Sequence, residues 1–135
     1  MLDIDTHNNK SLIGSQIEVN VSQLNETQVY FGKNISPGSF GWLVPLTNSS
    51  ALLGIISKEK NQENIKYFLN KLINEGKILN NNYEIKSWGI PINPLNKTYQ
   101  NRILITGDAA GLTKPTTGGG IYYSLLSGQI AANTS

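Results

Sequence analysis

The sequence contains no cysteine, which excludes disulfides, thiolate metal sites and a cysteine nucleophile. It contains a single histidine, His7, within the polar stretch DTHNNKS. A metal site needs several ligands, and a serine triad needs a histidine beside its nucleophile. We therefore interpret His7 as a solvated surface residue and expect no metal site.

Charge of one sign and long apolar runs are also scarce. Eleven Lys and Arg stand against nine Asp and Glu, and the net charge of +2 comes without a basic run, so no nucleic-acid partner is expected. No stretch approaches the roughly 18 apolar residues of a membrane span. The N-terminus lacks a basic segment followed by an apolar one, so a cytoplasmic location is expected.

The first half of the chain has the patterns of an antiparallel sheet with one helix. SQIEVNV alternates apolar and polar residues, and QVYFG is its expected hairpin partner. FGWLVPL and SALLGII, separated by TNSS, predict two further strands, which gives antiparallel strands over residues 15–56. A helix is predicted over 61–75 and laid on that sheet, with Gly76 as its C-terminal glycine. Its buried face is formed by Ile65, Phe68, Leu69, Leu72 and Ile73, which recur at helical spacing.

The second half alternates extended segments with glycine-rich turns. YEIKSWGIPI contains Pro91 and is followed by Pro94, and these two prolines exclude a long helix. RILIT, residues 102–106, is a short and almost entirely apolar run, and it predicts a strand buried on both faces. The last helix is predicted to begin after the three glycines at 118–120.

GDAAGLTKPTTGGG lies between that strand and that helix. Ligands of α/β sheets bind at the carboxyl ends of strands, and a helix N-terminus presents free N–H groups with partial positive charge. Consecutive glycines let the backbone approach a ligand, so we expect a planar or anionic ligand contacted mainly by backbone. A P-loop is excluded because Pro115 follows Lys114, and G-x-G-x-x-G is excluded because Tyr123 stands three residues after Gly120.

Two patches carry a family resemblance. GDAAG followed by P-x-x-G-x-G-I resembles the second flavin-binding motif of FAD-dependent oxidoreductases with the aromatic-hydroxylase fold. The continuation GGGIYYSLLSGQIAA is most similar to the geranylgeranyl reductase family, whose members saturate isoprenoid chains of archaeal lipids or of chlorophyll and quinone precursors. PGSFGWLVP fits P-x-x-[YF]-x-W-x-x-P, a pattern of the family's substrate-domain sheet. The resemblance covers residues 15–133.

The resemblance implies an α+β architecture. Residues 1–96 are expected to form part of an antiparallel substrate-domain sheet with a packed helix. Residues 97–135 are expected to form the closing strand–loop–helix of a Rossmann-like FAD-binding domain. The family's N-terminal G-x-G-x-x-G turn is absent from the sequence, so we interpret the chain as an internal or C-terminal fragment. Such a chain alone is expected to be inactive and to bind FAD weakly or not at all.

The resemblance also implies the site residues. Asp108 would accept hydrogen bonds from the flavin ribityl chain, and the glycine N–H groups would face the N1/O2 edge of the ring. The alternatives are a turn or capping aspartate and a flexible glycine loop. The implied cofactor residues are Gly107, Asp108, Pro115, Gly118, Gly119, Gly120 and Ile121.

Phe40, Trp42 and Tyr122 are the implied substrate contacts. Phe40 and Trp42 also alternate as sheet-packing core aromatics do, so that interpretation stays open. Tyr122 and Tyr123 could form a pocket wall or donate a proton. Trp88 is expected to be a packing residue.

The implied enzyme reduces C=C bonds of an isoprenoid lipid with FAD, using NAD(P)H or ferredoxin as electron donor and with peripheral contact at the membrane surface. An FAD monooxygenase or halogenase of the same fold would share Asp108 and the glycines. A non-enzymatic remnant or small binding module is the third alternative, because the dinucleotide turn is missing.

Overall fold

A computed structural model describes residues 11–79, 83–114 and 116–134. The chain divides into two compact units, one over Ile13–Trp88 and one that contains the residues from Gly89 onward. The domain boundary expected after residue 96 stays a prediction. None of the described helices is both long and apolar enough to cross a bilayer.

A five-stranded sheet with the order β2–β3–β4–β1–β5 dominates the first unit. β4 pairs antiparallel with β1 and β3, and β3 pairs antiparallel with β2. The antiparallel strands predicted over residues 15–56 and the α+β class are therefore confirmed. The strands are β1 (Ser11–Asn20), β2 (Gln28–Tyr30), β3 (Gly41–Pro45), β4 (Ser50–Ser57) and β5 (Lys86–Pro91).

The predicted hairpin between β1 and QVYFG is wrong. β2 pairs with β3, placing Val29 opposite Trp42, and β1 pairs with β4, placing Ile17 opposite Leu53. β4 offers β1 a register of eight residue pairs, whereas β2 is only three residues long. The longer ladder also buries Ile17 against the core, so it outweighs the proximity of β2 in sequence.

The helix α1 (Asn61–Asn74) covers one face of the sheet. Ile65, Phe68, Leu69 and Leu72 are fully buried in the core, and Ile73 packs against its edge, which confirms the predicted helix and face. Burial of each such side chain stabilises the fold by about 1.5–3 kcal/mol.

Gly76 ends α1 as predicted. Its φ of +72° is left-handed, which glycine adopts without strain. The Gly76 N–H donates to the Ile73 carbonyl at 2.9 Å, and the Lys77 N–H donates to the Leu72 carbonyl at 3.0 Å. These paired bonds satisfy carbonyls that the helix leaves free.

The second unit begins with a short hairpin of β6 (Tyr99–Gln100) and β7 (Ile103–Leu104). A 3₁₀ turn (Gly107–Ala110) and a loop follow, and α2 (Ile121–Thr134) begins directly after the glycines, as predicted.

The prediction that RILIT forms a strand buried on both faces is wrong. Ile103 and Leu104 are 46% and 45% exposed. Asn101 turns the chain with a φ of +54°, so β7 pairs with β6, and the two strands form a sheet of their own among the described residues. A two-residue strand in such a pair has no neighbouring strands to bury it on both faces.

Candidate functional site

The glycine-rich motif surrounds a cavity in the second unit. The cavity has a volume of about 460 Å³ and lies between the 3₁₀ turn and the first turn of α2. Four residues predicted for the cofactor site line it together: Gly107, Asp108, Gly120 and Ile121. The remaining lining residues are Thr106, Ser124 and Leu125.

Gly107 holds the 3₁₀ turn directly against α2. Its φ is +60°, and a Cβ built on it would lie 2.6 Å from the Ser124 Oγ. Its N–H donates to the Ser127 Oγ at 3.1 Å. A larger residue would strain the backbone and push the turn away from the helix, so glycine here is a requirement of the fold.

Asp108 projects toward the start of α2. A Cβ on Gly120 would lie 2.0 Å from the Asp108 Oδ1, so the carboxylate occupies the space that a side chain would fill. Asp108 is exposed, and its carboxylate accepts no hydrogen bond within the described part of the chain. Its oxygens are therefore free to accept hydrogen bonds from a hydroxylated ligand in the cavity.

The loop before α2 is closed by its own backbone. The Lys114 N–H donates to the Gly119 carbonyl at 3.0 Å, and the Gly118 N–H donates to the Lys114 carbonyl at 2.8 Å. Gly118 has a φ of +67°, which explains the first glycine of the three.

The start of α2 gives the cavity a positive end. The Ser124 N–H donates to the Gly120 carbonyl at 2.8 Å, which begins the bonding of the helix. The N–H groups that precede this bond point out of the helix end and carry partial positive charge. Negative charge in the cavity would therefore be stabilised from this side.

Gly119 differs from its neighbours because the chain itself does not require glycine there. A Cβ on Gly119 would meet only the Thr117 Oγ1, at an ordinary contact distance of 3.4 Å. Its φ lies outside the left-handed range. Open space beside an exposed backbone is the geometry that lets a flat ligand approach the N–H groups.

Among the predicted residues that the structure describes, Gly118, Gly119 and Tyr122 do not line this cavity. Pro115 falls outside the described residues. Tyr122 is 62% exposed, and its ring meets that of Tyr123 edge-on at 5.3 Å between centroids.

Sequence reasoning missed the lining and supporting hydroxyl residues. Thr106 and Ser124 line the cavity, and Ser127 binds the Gly107 N–H. The available signal was the spacing of Ser124 and Ser127, because residues three apart share one face of a helix. Because α2 has no charged side chains, two hydroxyls on one face indicate the face of the helix that contacts the backbone of another segment.

The first unit holds the other predicted residues. The Trp42 indole lies over Gly54, where a Cβ would be 2.2 Å from it. Phe40 packs beside Trp42, with 6.0 Å between ring centroids. The core, with Leu43, lies on the opposite face of the sheet, so Trp42 is not a core residue, whereas its packing on Gly54 agrees with the sheet-packing interpretation.

Comparisons with known proteins find relatives among archaeal lipid enzymes. The chain is 34% identical over 117 residues to a digeranylgeranylglycerophospholipid reductase of Methanocaldococcus jannaschii. It is 37% identical over 115 residues to the protein of that name from Methanococcus aeolicus. Each match covers 82% of this chain and 29% of the relative, so the chain spans less than a third of their length. No family model matches the chain.

Solved structures give a consistent result. A geranylgeranyl bacteriochlorophyll reductase-like protein of Thermoplasma acidophilum superposes with a TM-score of 0.73 at 25% identity. The match covers 98% of this chain and 35% of that one. A flavin-dependent halogenase superposes with a TM-score of 0.58 at 12% identity over 93% of this chain and 26% of its own, and this likeness concerns the fold alone.

Proposed function

Because the chain belongs to the geranylgeranyl reductase family, we propose that it contributes a flavin-binding loop and a substrate-facing sheet to a reductase of isoprenoid lipids. FAD is the form of flavin that we propose. The observation that carries the proposal is the cavity lined by Asp108 and Gly120, where a free carboxylate and a helix N-terminus meet. Gly119, directly before Gly120 in the chain, leaves its backbone open on one side.

The residues present fit a flavin. Asp108 offers an unused acceptor for the ribityl hydroxyls, and the N–H groups of Gly120 and Ile121 at the start of α2 offer donors for a polar ring edge. The start of α2 would stabilise negative charge at that edge, as an oxyanion hole does. Gly107, Pro115 and Ile121 complete the proposed cofactor site. A bound flavin would supply the hydride that reduces a C=C bond, and the chain would supply position and electrostatics.

The substrate part of the proposal rests on the first unit. Phe40 and Trp42 present aromatic surface on the sheet face away from α1, and aromatic rings are suited to hold an apolar chain. Tyr122 is proposed as a further substrate contact because its ring is exposed. The two curated relatives described above are named for a lipid with geranylgeranyl chains, which supports an isoprenoid substrate.

The proposal also includes the domain to which the second unit belongs, the electron donor and the place where the enzyme meets its substrate. The second unit would be the closing part of a Rossmann-like domain. NAD(P)H or ferredoxin would supply electrons. The enzyme would meet its lipid at the membrane surface.

A monooxygenase or halogenase of the same fold is the second candidate. The structural likeness to a halogenase supports it only at the level of fold. The two curated relatives described above are named as reductases and are 34% and 37% identical, which favours reduction over oxygenation.

Riboflavin titration of the 135-residue chain, followed by backbone amide chemical shifts, tests the cofactor proposal. We expect the amides of Gly119, Gly120 and Ile121 to shift together as riboflavin is added, with the weak affinity expected of a chain without the diphosphate turn. Because riboflavin carries the ring and the ribityl chain without a diphosphate, it probes only the part of the site described here. If these amides stay unmoved up to the solubility limit of riboflavin, the cofactor proposal fails.

A further inference from the structure

The sheet face opposite α1 carries both tryptophans of the chain, and each lies over a glycine. A Cβ on Gly54 of β4 would be 2.2 Å from the Trp42 indole, and one on Gly14 of β1 would be 2.7 Å from the Trp88 indole. Ser15, the next residue after Gly14, instead bonds to Asn61 at the start of α1. Successive residues of a strand face opposite ways, so Gly14 and Trp88 lie on the face away from the helix.

Strand register places the two indoles along one diagonal. Trp42 pairs with Gly54, and Gly14 pairs with Ile56. Ile56 therefore lies between the two glycine-seated rings, on the same face. Trp42 and Trp88 stand on β3 and β5, three strand spacings apart, which corresponds to about 14 Å.

The surface continues past Trp42 with aromatic rings. Phe40 lies 6.0 Å from Trp42, and Phe31 lies 6.4 Å from Phe40, between ring centroids. Phe31 is 74% exposed and Trp88 is 44% exposed. Trp88 packs on the Gly14 backbone on one side, which agrees with the expected packing role, and its other side leaves a large part of the ring open.

Polar groups border this apolar strip at one side. A smaller cavity of about 230 Å³ is lined by Gln16, Glu18, Glu84 and Lys86, together with Leu52 and Tyr83. The face is therefore a narrow apolar path with a charged margin rather than a broad apolar patch. A long, thin ligand without charged groups, such as an isoprenoid chain, matches that shape better than a second protein surface does.

We propose that Trp88, seated on Gly14, is a further aromatic contact for the isoprenoid chain and extends the surface formed by Phe31, Phe40 and Trp42. This inference rests on the proposed lipid substrate and assigns to Trp88 a part in determining the chain length that binds. Each of the two glycines leaves the room in which an indole packs on the sheet.

The two tryptophans provide their own reporters. Trp42→Phe leaves Trp88 as the only indole, and Trp88→Phe leaves Trp42. Each variant is titrated with geranylgeraniol and, separately, with the shorter geraniol. We expect geranylgeraniol to shift the emission of both reporters to the blue, and geraniol to shift that of Trp42 alone. Trp88→Ala should weaken geranylgeraniol binding about 2- to 10-fold, the value of one aromatic contact.

Gly14→Ala provides the matched variant that keeps Trp88. Its Cβ would displace the indole, so the Trp88 response to geranylgeraniol should fall, whereas Gly89→Ala, where a Cβ meets nothing within 4 Å, should leave it unchanged. Far-ultraviolet circular dichroism checks that both variants fold.

The outcomes separate the inference from the proposed function. If Trp42 responds to geranylgeraniol and Trp88 does not, the assignment of Trp88 is overturned and the lipid substrate stands. If neither responds, the lipid proposal fails with it. If acrylamide cannot quench Trp88 in the free chain, protein covers this face in solution, and the inference is wrong.

Discussion

Substitution of Gly119 should lower flavin affinity without lowering the stability of the fold. The nearest atom to a Cβ at position 119 is the Thr117 Oγ1 at 3.4 Å, and the backbone there is not left-handed. A side chain therefore fits without strain from its neighbours. Replacement of glycine at a compatible position restricts the unfolded chain, and for alanine this stabilises a protein by about 0.4–1 kcal/mol. The melting temperature of Gly119→Ala should accordingly match or slightly exceed that of the wild type.

Flavin binding should respond in the opposite direction. Valine adds a branched group in the open space beside the backbone, so the ring edge can no longer reach the N–H groups. Loss of one hydrogen bond to a charged or strongly polarised group costs about 1.5–3 kcal/mol, which corresponds to roughly a 10- to 150-fold loss of affinity. Gly119→Ala should give a smaller loss, because a single methyl group fills less of the space.

Riboflavin titrations of the wild type, Gly119→Ala and Gly119→Val are the assay, with thermal unfolding measured on the same samples. Gly128→Ala is the matched control, since a Cβ there meets nothing within 4 Å and the residue lies in α2, away from the cavity lining. If Gly119→Val binds riboflavin as tightly as the wild type, the space beside Gly119 does not hold the ring, and the central assignment of the site is wrong.

Four further outcomes are expected. Asp108→Ala should lower riboflavin affinity roughly 10- to 150-fold with an unchanged circular dichroism spectrum, and equal affinity would reduce the acid to a turn former. FAD should bind the 135-residue chain no more tightly than riboflavin does in parallel titrations, because the sequence contains no glycine turn for a diphosphate; a yellow protein with stoichiometric FAD would contradict this. Phe68→Ala should cost about 3–5 kcal/mol in urea unfolding, and an unchanged midpoint would mean that α1 does not pack as described. Hydrogen bonds from Lys71 and Lys77 lower the pKa of Glu75 below 4.5, so the small stabilisation from this exposed cluster should be present above that pH and lost as the pH falls through the lowered pKa. Unfolding of Glu75→Gln across that pH range, compared with the wild type, checks the sign.

Periodicity predicted the elements of the first unit because each pattern reflects burial within one element. The apolar residues of α1 recur every three or four positions, and all five meet the core. Strand partners depend instead on which distant segment offers the longer ladder, as β4 does for β1, and no local pattern contains that information. RILIT failed for a related reason, because an apolar run predicts burial only when other strands flank it.

The site was predictable where backbone conformation sets the residue type. Gly118 has a left-handed backbone, and an aspartate after an extended segment and before a helix is a recognisable pattern. The contact between Asp108 and Gly120 could not be read from the sequence, since it depends on how the 3₁₀ turn packs on α2. Ser124 and Ser127 were missed because hydroxyls on a helix usually face solvent.

The glycines of the motif are therefore required for different physical reasons. Gly107 must admit the Ser124 hydroxyl, Gly118 must adopt a left-handed φ, and Gly120 must leave room for the Asp108 carboxylate. Each of these demands arises within the chain, and each would persist in a protein that bound nothing. Gly119 alone among the three consecutive glycines meets no such demand, so a ligand that approaches the backbone supplies the reason for its lack of a side chain. Selection for binding should accordingly be most visible at position 119, where substitution separates affinity from stability.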